Sequence, residues 1–271
     1  MAFGISRQAV YQWKQRLEQR YETQRPIKAL ILDWRRLMPR LGGRKLYHLI
    51  KADLVAKGIK LGRDGLFRYL RHEGLLVKPR KNYTKTTNSK HWLRKHPNLL
   101  KEKIVTKAEE VFVSDITYVK TDAGTHYLSL VTDAYSRKIM GYEVSPEMKA
   151  SDVVKALDMA VEQRNTSNKT IHHSDRGLQY CSSEYQETLK RNGLIASMTD
   201  GYDCYQNALA ERINGILKQE FLLYRCKNRA ELHKLVQQSV EIYNTLRPHL
   251  SLDFKTPSQI HEKASRLRQL A

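Results

Sequence analysis

Three acidic residues stand where an acid is either costly or conspicuous. Asp115 interrupts a β-forming run, Val111-Phe112-Val113-Ser114-Asp115-Ile116-Thr117-Tyr118-Val119. A carboxylate with such neighbours must be paired, bound to a cation or turned to the solvent face of a strand. Asp175 follows a short apolar segment in His172-His173-Ser174-Asp175-Arg176-Gly177-Leu178-Gln179-Tyr180, where an Asx-turn is the plain alternative to a functional role. Glu211 lies in a helical stretch and shares one stripe with Asn207, Asn214 and Lys218 at i, i+4, i+7 and i+11. An ordinary solvated helix face would have the same pattern. Together the three acids say more than each does alone. An acid on one strand, one just past another strand and one on a later helix can converge at one end of a sheet. Carboxylates brought that close repel one another unless a cation intervenes. A ligand set made only of oxygen favours Mg²⁺ or Mn²⁺. Two such ions about 3.5–4 Å apart can activate a nucleophile and stabilise the leaving oxygen of an in-line phosphoryl displacement.

The elements needed to position these acids can be read from the pattern of residues. From residue 108 the chain is strand-like, with runs at 111–119, 126–132 and 138–144 separated by turn residues. A helix is predicted over 151–164, with Val153, Val154, Leu157, Ala160 and Val161 on its apolar face. A strand near 169–172, a helix over 183–192 and a strand near 194–198 follow, then a polar loop at 199–206. Long helices over 207–223 and 229–246 complete the series. The order βββαβαβα predicts an α/β sheet with helices packed on it. Gly177 is expected to let the chain turn sharply away after Asp175.

The first part of the chain has a different composition. Residues 1–107 hold 27 Lys/Arg against 7 Asp/Glu, while the remainder holds 21 of each, so the whole net charge of +20 lies in the first 107 residues. Such a region suits a polyanion, and nucleic acid is the leading candidate. Ser6 is a candidate N-cap for a helix carrying Val10, Trp13 and Leu17. Helices are then predicted over 27–38, 43–57 and 63–73, punctuated by glycines, with the last presenting Arg63, Arg68 and Arg71 opposite Leu66, Tyr69 and Leu70. This arrangement reads as a helix-turn-helix. The expected division is a short helical segment at 1–25, a helix-turn-helix domain at 26–76, a basic linker at 77–107, a catalytic domain at 108–262 and a tail at 263–271.

Other classes of protein fit poorly. No apolar run approaches the length of a membrane span, and MAFGISRQAV has no signal-peptide core. Cys181, Cys204 and Cys226 form no CxxC pair, and His91 and His96 have no cysteine pair nearby, so a structural zinc site is not expected. No GxxxxGK[ST] loop is present to support ATP-driven chemistry. The expectation is a soluble, intracellular protein.

Several motifs occur in order: Asp115-Ile116-Thr117-Tyr118, the HSDRG-x-QY stretch at 173–180, and Asn207-Ala208-x-Ala210-Glu211 with Lys218 seven residues on. Tyr243-Asn244-x2-Arg247-Pro248-His249 and Thr256-Pro257 follow. On these motifs the chain, over roughly residues 26–262, resembles the catalytic second-frame (OrfB-type) transposases of the IS-three family, within the retroviral-integrase superfamily. The 35 residues between Asp175 and Glu211 match the spacing typical of that family. Phe112 stands where a tryptophan is usual.

The resemblance implies a ribonuclease-H-like core, a mixed five-stranded sheet with flanking helices, preceded by an all-α helix-turn-helix region. It implies that Asp115, Asp175 and Glu211 form an acidic triad holding two Mg²⁺ (or Mn²⁺) ions. It also implies that a 3′-hydroxyl attacks a phosphodiester as element ends are cut and joined. Lys218 matches a family lysine that contacts DNA, and Arg176, Asn207 and Asn214 are further candidates near the site. Arg44, Arg63, Arg68, Arg71, Arg80 and Lys81 are candidates in the basic region. The implied partners are terminal inverted repeats and target DNA, further copies of the chain, and a fused first-frame protein, in the bacterial cytoplasm at the nucleoid. The alternatives are a metal-dependent nuclease of the same fold, or a DNA-binding regulator active only when fused to its first-frame partner.

Overall fold

A computed structural model describes residues 4, 6–78, 93–166, 169–200, 207–221, 223 and 226–269. The chain divides into two compact units, Met1–Pro79 and Arg80–Ala271.

The first unit is helical: α1 (Arg7–Leu37), α2 (Gly43–Ala56) and α3 (Arg63–His72). The Ser6 side chain accepts from Ala9 N at 3.2 Å and caps α1. The two helices expected on either side of residue 26 are in fact one, and Pro26 lies inside it. The residues before it, Glu18, Gln19, Arg20, Glu22, Gln24 and Arg25, are mostly good helix formers, so one proline does not end the run. Ile27 and Ile31 from α1 and its C-cap Met38 are buried in this unit, as are Leu46 and Ile50 from α2 and Leu66 and Leu70 from α3. Gly58 and Gly74 close α2 and α3 with φ of +67° and +64°, a conformation that suits glycine at a helix C-terminus. The backbone bonds Ile59 N to Leu54 O (2.9 Å) and Leu75 N to Leu70 O (2.7 Å) complete both turns.

The second unit is a five-stranded sheet of order β3-β2-β1-β4-β5. Its strands are β1 (Val111–Thr121), β2 (Gly124–Asp133), β3 (Ile139–Ser145), β4 (Thr170–Ser174) and β5 (Leu194–Met198). The first three are antiparallel, and β4 and β5 run parallel to β1. The helices are α4 (Ala150–Glu162), α5 (Leu178–Cys181), α6 (Ser183–Arg191), α7 (Ala208–Glu220), α8 (Arg229–Thr245) and α9 (Pro257–Gln269).

One sheet face packs on α4, through Phe112, Val131, Met140, Ala156 and Ala160. Phe112 is fully buried there. Gly141 of β3 allows this close approach, since a Cβ at that position would lie 2.0 Å from Ala156 O. The other face receives α7, with Val111, Val113, Ala134 and Ala210 in contact.

Two expected boundaries differ from the observed elements. Residues 93–107 are not a free linker: Leu93, Leu100 and Val105 pack on the core, and Pro97 O accepts from Met198 N of the edge strand β5 at 3.2 Å. Apolar anchors in a basic stretch were enough to lay the chain down as a strap. The helix α9 also runs through residue 262, where the catalytic span was expected to end.

Candidate active site

The strand register brings two of the acids together. β1 and β4 pair in parallel with Val113 opposite His173, so two residues further along each chain stand Asp115 and Asp175. Neighbouring strands are about 4.8 Å apart. Asp175 lies just past the end of β4, and its Oδ1 accepts from Gly177 N at 2.9 Å. It therefore makes the Asx-turn while remaining beside Asp115. Gly177 has φ −65°, so no left-handed turn requires it. Its role is clearance, since a Cβ there would lie 3.0 Å from Asp175 Oδ1. The chain does turn here, through that Asx-turn, but without the backbone conformation that favours glycine.

The third acid comes from α7, which is pinned along β1. Asn207 Nδ2 donates to Ser114 O (2.9 Å), Asn214 Nδ2 to Asp115 Oδ2 (2.8 Å) and Lys218 Nζ to Thr117 Oγ1 (3.1 Å). The polar stripe read from the sequence thus faces β1 rather than bulk solvent. Asn207 and Asn214, expected as DNA contacts, are buried with their amides engaged on β1. Lys218 also stands 4.5 Å over the Tyr118 ring. Glu211, one helical turn after Asn207, is exposed.

Electrostatics bind the set together. Burial raises the Asp115 pKa, and the charges of Asp175 and Glu211 add to that; the hydrogen bond from Asn214 opposes them, and the balance is about 7. Partial burial and the charge of Asp175 raise Glu211. Burial pushes the Lys218 ammonium down, with Asp115 acting in the opposite direction. The three carboxylates supply only oxygen, the donor set that suits a hard dication. Among the described residues no three His, Cys, Asp or Glu side chains already stand at metal-binding separation. Mutual repulsion keeps carboxylates apart until a cation joins them.

Behind Asp115 lies a buried network that the sequence did not reveal. His172 Nε2 is 2.7 Å from Ser114 Oγ and 2.9 Å from Tyr185 Oη. Burial, with His173 adding to it, lowers His172 to about 3, so the ring is neutral. Alternation on β1 and β4 could have suggested this inward-facing pair, but nothing local pointed to Tyr185. His173 bonds Ser197 Oγ at 2.9 Å, and Gln179 Nε2 donates to Met148 O at 2.8 Å. Arg176 is half-buried, and Arg44, Arg63, Arg68 and Arg71 are exposed on the first unit. Arg80 and Lys81, like His91, lie outside the described residues.

The sheet order and its flanking helices are those of a ribonuclease-H-like integrase core. The chain is similar in fold to the simian T-cell lymphotropic virus intasome solved with PP2A regulatory subunit B56 gamma. That match has a TM-score of 0.52 at 18% identity, over 81% of this chain and 74% of that one. Residues 105–204 match an "Integrase core domain" family, and residues 192–257 match a second family of the same description. The "Insertion element IS600 uncharacterized 31 kDa protein" of Shigella sonnei is 35% identical over 266 residues, 96% of each chain. The "Transposase InsF for insertion sequence IS3A" of Escherichia coli (strain K12) is 30% identical over 269 residues, 96% of this chain and 91% of its own length. The chain belongs to the IS3 family of insertion-sequence transposases, and is thus an enzyme of the DDE polynucleotidyl transferase class.

Proposed function

We propose that Asp115, Asp175 and Glu211 hold two divalent ions, Mg²⁺ or Mn²⁺, and that the enzyme cuts and joins the ends of an insertion sequence. The register that sets Asp115 beside Asp175 carries this reading, because it gathers carboxylates close enough for the charge of Asp175 to raise the pKa of Asp115. A cation relieves that repulsion. When bound, the ions would supply activation of an attacking 3′-hydroxyl and stabilisation of the leaving oxygen. The chain's own groups do the rest. Asn214 orients Asp115, and Asn207 fixes the start of α7 and so the approach of Glu211. Lys218, held by Thr117 and Tyr118, offers a positive charge beside the carboxylates for a backbone phosphate. The substrates in this reading are terminal inverted repeats and target DNA in the bacterial cytoplasm, at the nucleoid. Assembly of several copies brings two ends together, and a fused first-frame protein is a further partner. The exposed Arg44, Arg63, Arg68 and Arg71 supply backbone contacts from the first unit.

The test incubates the protein with labelled element-end DNA, target DNA and Mg²⁺. Joined products support the transposase reading, cleavage alone indicates a nuclease, and binding alone indicates a regulator. Asp175→Asn and Glu211→Gln are expected to abolish joining, with DNA affinity changed less than about twofold. Wild-type joining by either variant would overturn the assignment of the acids.

A further inference from the structure

On the sheet face that receives α7, reaching to Val113 two residues before Asp115, the second unit contains a cleft of about 630 Å³, a volume in the range of small-ligand sites. Its floor is apolar, formed by Val113 of β1, Ala134 and Leu209 of α7, with Leu100 and Leu252 as walls. Lys103, Arg137 and Lys255 line it against one acid, Asp253. Lys103 is paired with Glu110 at 2.6 Å, and the Arg137 guanidinium donates to Ala134 O. Lys255 is exposed and makes no ion pair among the described residues. Tyr135 lends the cleft a half-buried ring.

Asn207, in the lining, is 5% exposed and uses Nδ2 on Ser114 O, but among the described residues its buried Oδ1 has no hydrogen bond. A buried acceptor calls for an N–H or O–H donor. A phosphate oxygen in that position would be repelled, so an anion belongs at the cationic rim and a donor belongs inside. The complementary ligand is a flat, largely apolar group with an N–H edge, attached to a negative charge. A nucleotide has that form.

The location narrows the choice. Val113 precedes Asp115 by two residues on the same strand face, a distance of roughly 7 Å. Asn207 precedes Glu211 by one helical turn. We propose that this cleft takes up a single nucleotide extruded from the DNA duplex beside the reacting phosphodiester. Its base lies over Val113 and Leu209, a small shift of the Asn207 side chain opens Oδ1 to its N–H edge, and its phosphate meets Lys255 and Arg137. Extrusion makes the backbone next to the scissile bond accessible, and a base that leaves the stack easily favours one sequence over another. This inference rests on the transposase reading.

The experiment uses the full chain, without Mg²⁺, and element-end duplexes carrying 2-aminopurine at successive positions around the cut. One position is expected to brighten several-fold on binding, as unstacking requires. Leu252→Trp, which fills the cleft, is expected to remove the brightening and weaken binding of the intact duplex. It should leave binding of a duplex with an abasic nucleotide at that position nearly unchanged. Lys255→Glu, at an exposed position, is a second variant that leaves the core intact and is expected to reduce the brightening. If no position brightens, or if both variants brighten like wild type, the inference is overturned. Joining by the wild type is read separately with Mg²⁺. Joining without brightening rejects only the nucleotide cleft, whereas the absence of joining rejects the reading on which it rests.

Discussion

Asn214 donates to Asp115, while burial and the charges of Asp175 and Glu211 work against that carboxylate. The opposing effects outweigh the donor, and the pKa rises to about 7. A carboxyl raised in the folded state contributes most below its unfolded pKa, and that contribution is lost as pH climbs through the folded value. Above pH 7, without metal, Asp115 is therefore a burden on the fold. Asp115→Asn is expected to raise metal-free stability at pH 8 by about 1–2 kcal/mol, a few degrees in Tm, while eliminating joining. A lower Tm for the variant at pH 8 would mean that the carboxylate is stabilised by its surroundings. Asp115 was legible as an acid out of place in a strand, and Asp175 by its motif. Asn214 was read as a DNA contact because periodicity gives the phase of a helix but not the strand beneath it.

Elements hold these residues through a second set of contacts. Arg247 is 1% exposed and grips Glu220 at the end of α7 through two bonds of 2.8 Å, with a third contact to His249 Nε2 at 2.9 Å. Tyr243 Oη donates to Arg137 O (3.0 Å), and Asn244 bonds both N and O of Ile139 (2.9 and 3.0 Å). The Tyr-Asn-x2-Arg-Pro-His motif thus ties α8 to the start of β3 and to the C-terminal end of α7. Arg247→Met is expected to cost about 3 kcal/mol in urea unfolding, and Glu220→Gln on that background much less than alone. Simple additivity would show that the two do not act as a pair. A second tie holds α9: His261 Nε2 is 3.2 Å from Glu109 Oε1, and its Nδ1 is 3.5 Å from Asp133 Oδ2 and 3.2 Å from Ser136 Oγ. Burial and Lys138 oppose protonation of His261, but the two carboxylates prevail and its pKa is raised. The stabilisation is complete below about pH 6.5, the unfolded value, and is lost as pH rises through the folded pKa. Thermal melts should show stability falling over that window, and His261→Gln should flatten the fall. An equal slope in the variant would place the titrating group elsewhere. Neither tie was legible, because motif spacing does not reveal which distant backbone a side chain will meet. The strands and the helices α2, α3 and α4 were, because their apolar periodicity is local.

For the whole molecule, the distribution of charge decides how it meets DNA. The excess of +20 falls within the first 107 residues, while the rest balances 21 basic against 21 acidic side chains. Among the described residues no helix is long and apolar enough to cross a membrane. In the proposed reading the basic residues 1–107 would supply counterion release, and the charge-balanced residues 108–271 the geometry at a bond. On the first unit, α3 buries Leu66, Tyr69 and Leu70 and exposes Arg63, Arg68 and Arg71 on its opposite side. Arg63 is paired with Asp64 at 2.9 Å, an exposed pair that a phosphate can displace at little cost. Each arginine that neutralises a phosphate contributes about 0.9 to the slope of log affinity against log salt. Replacing all three with alanine in the full chain is expected to lower the magnitude of that slope by about 2–3, weakening binding most at low salt. Joining of DNA supplied at saturating concentration should persist, since the acids and α7 are untouched. An unchanged slope would mean that α3 does not hold the backbone, and that the charge of this region acts only by long-range steering.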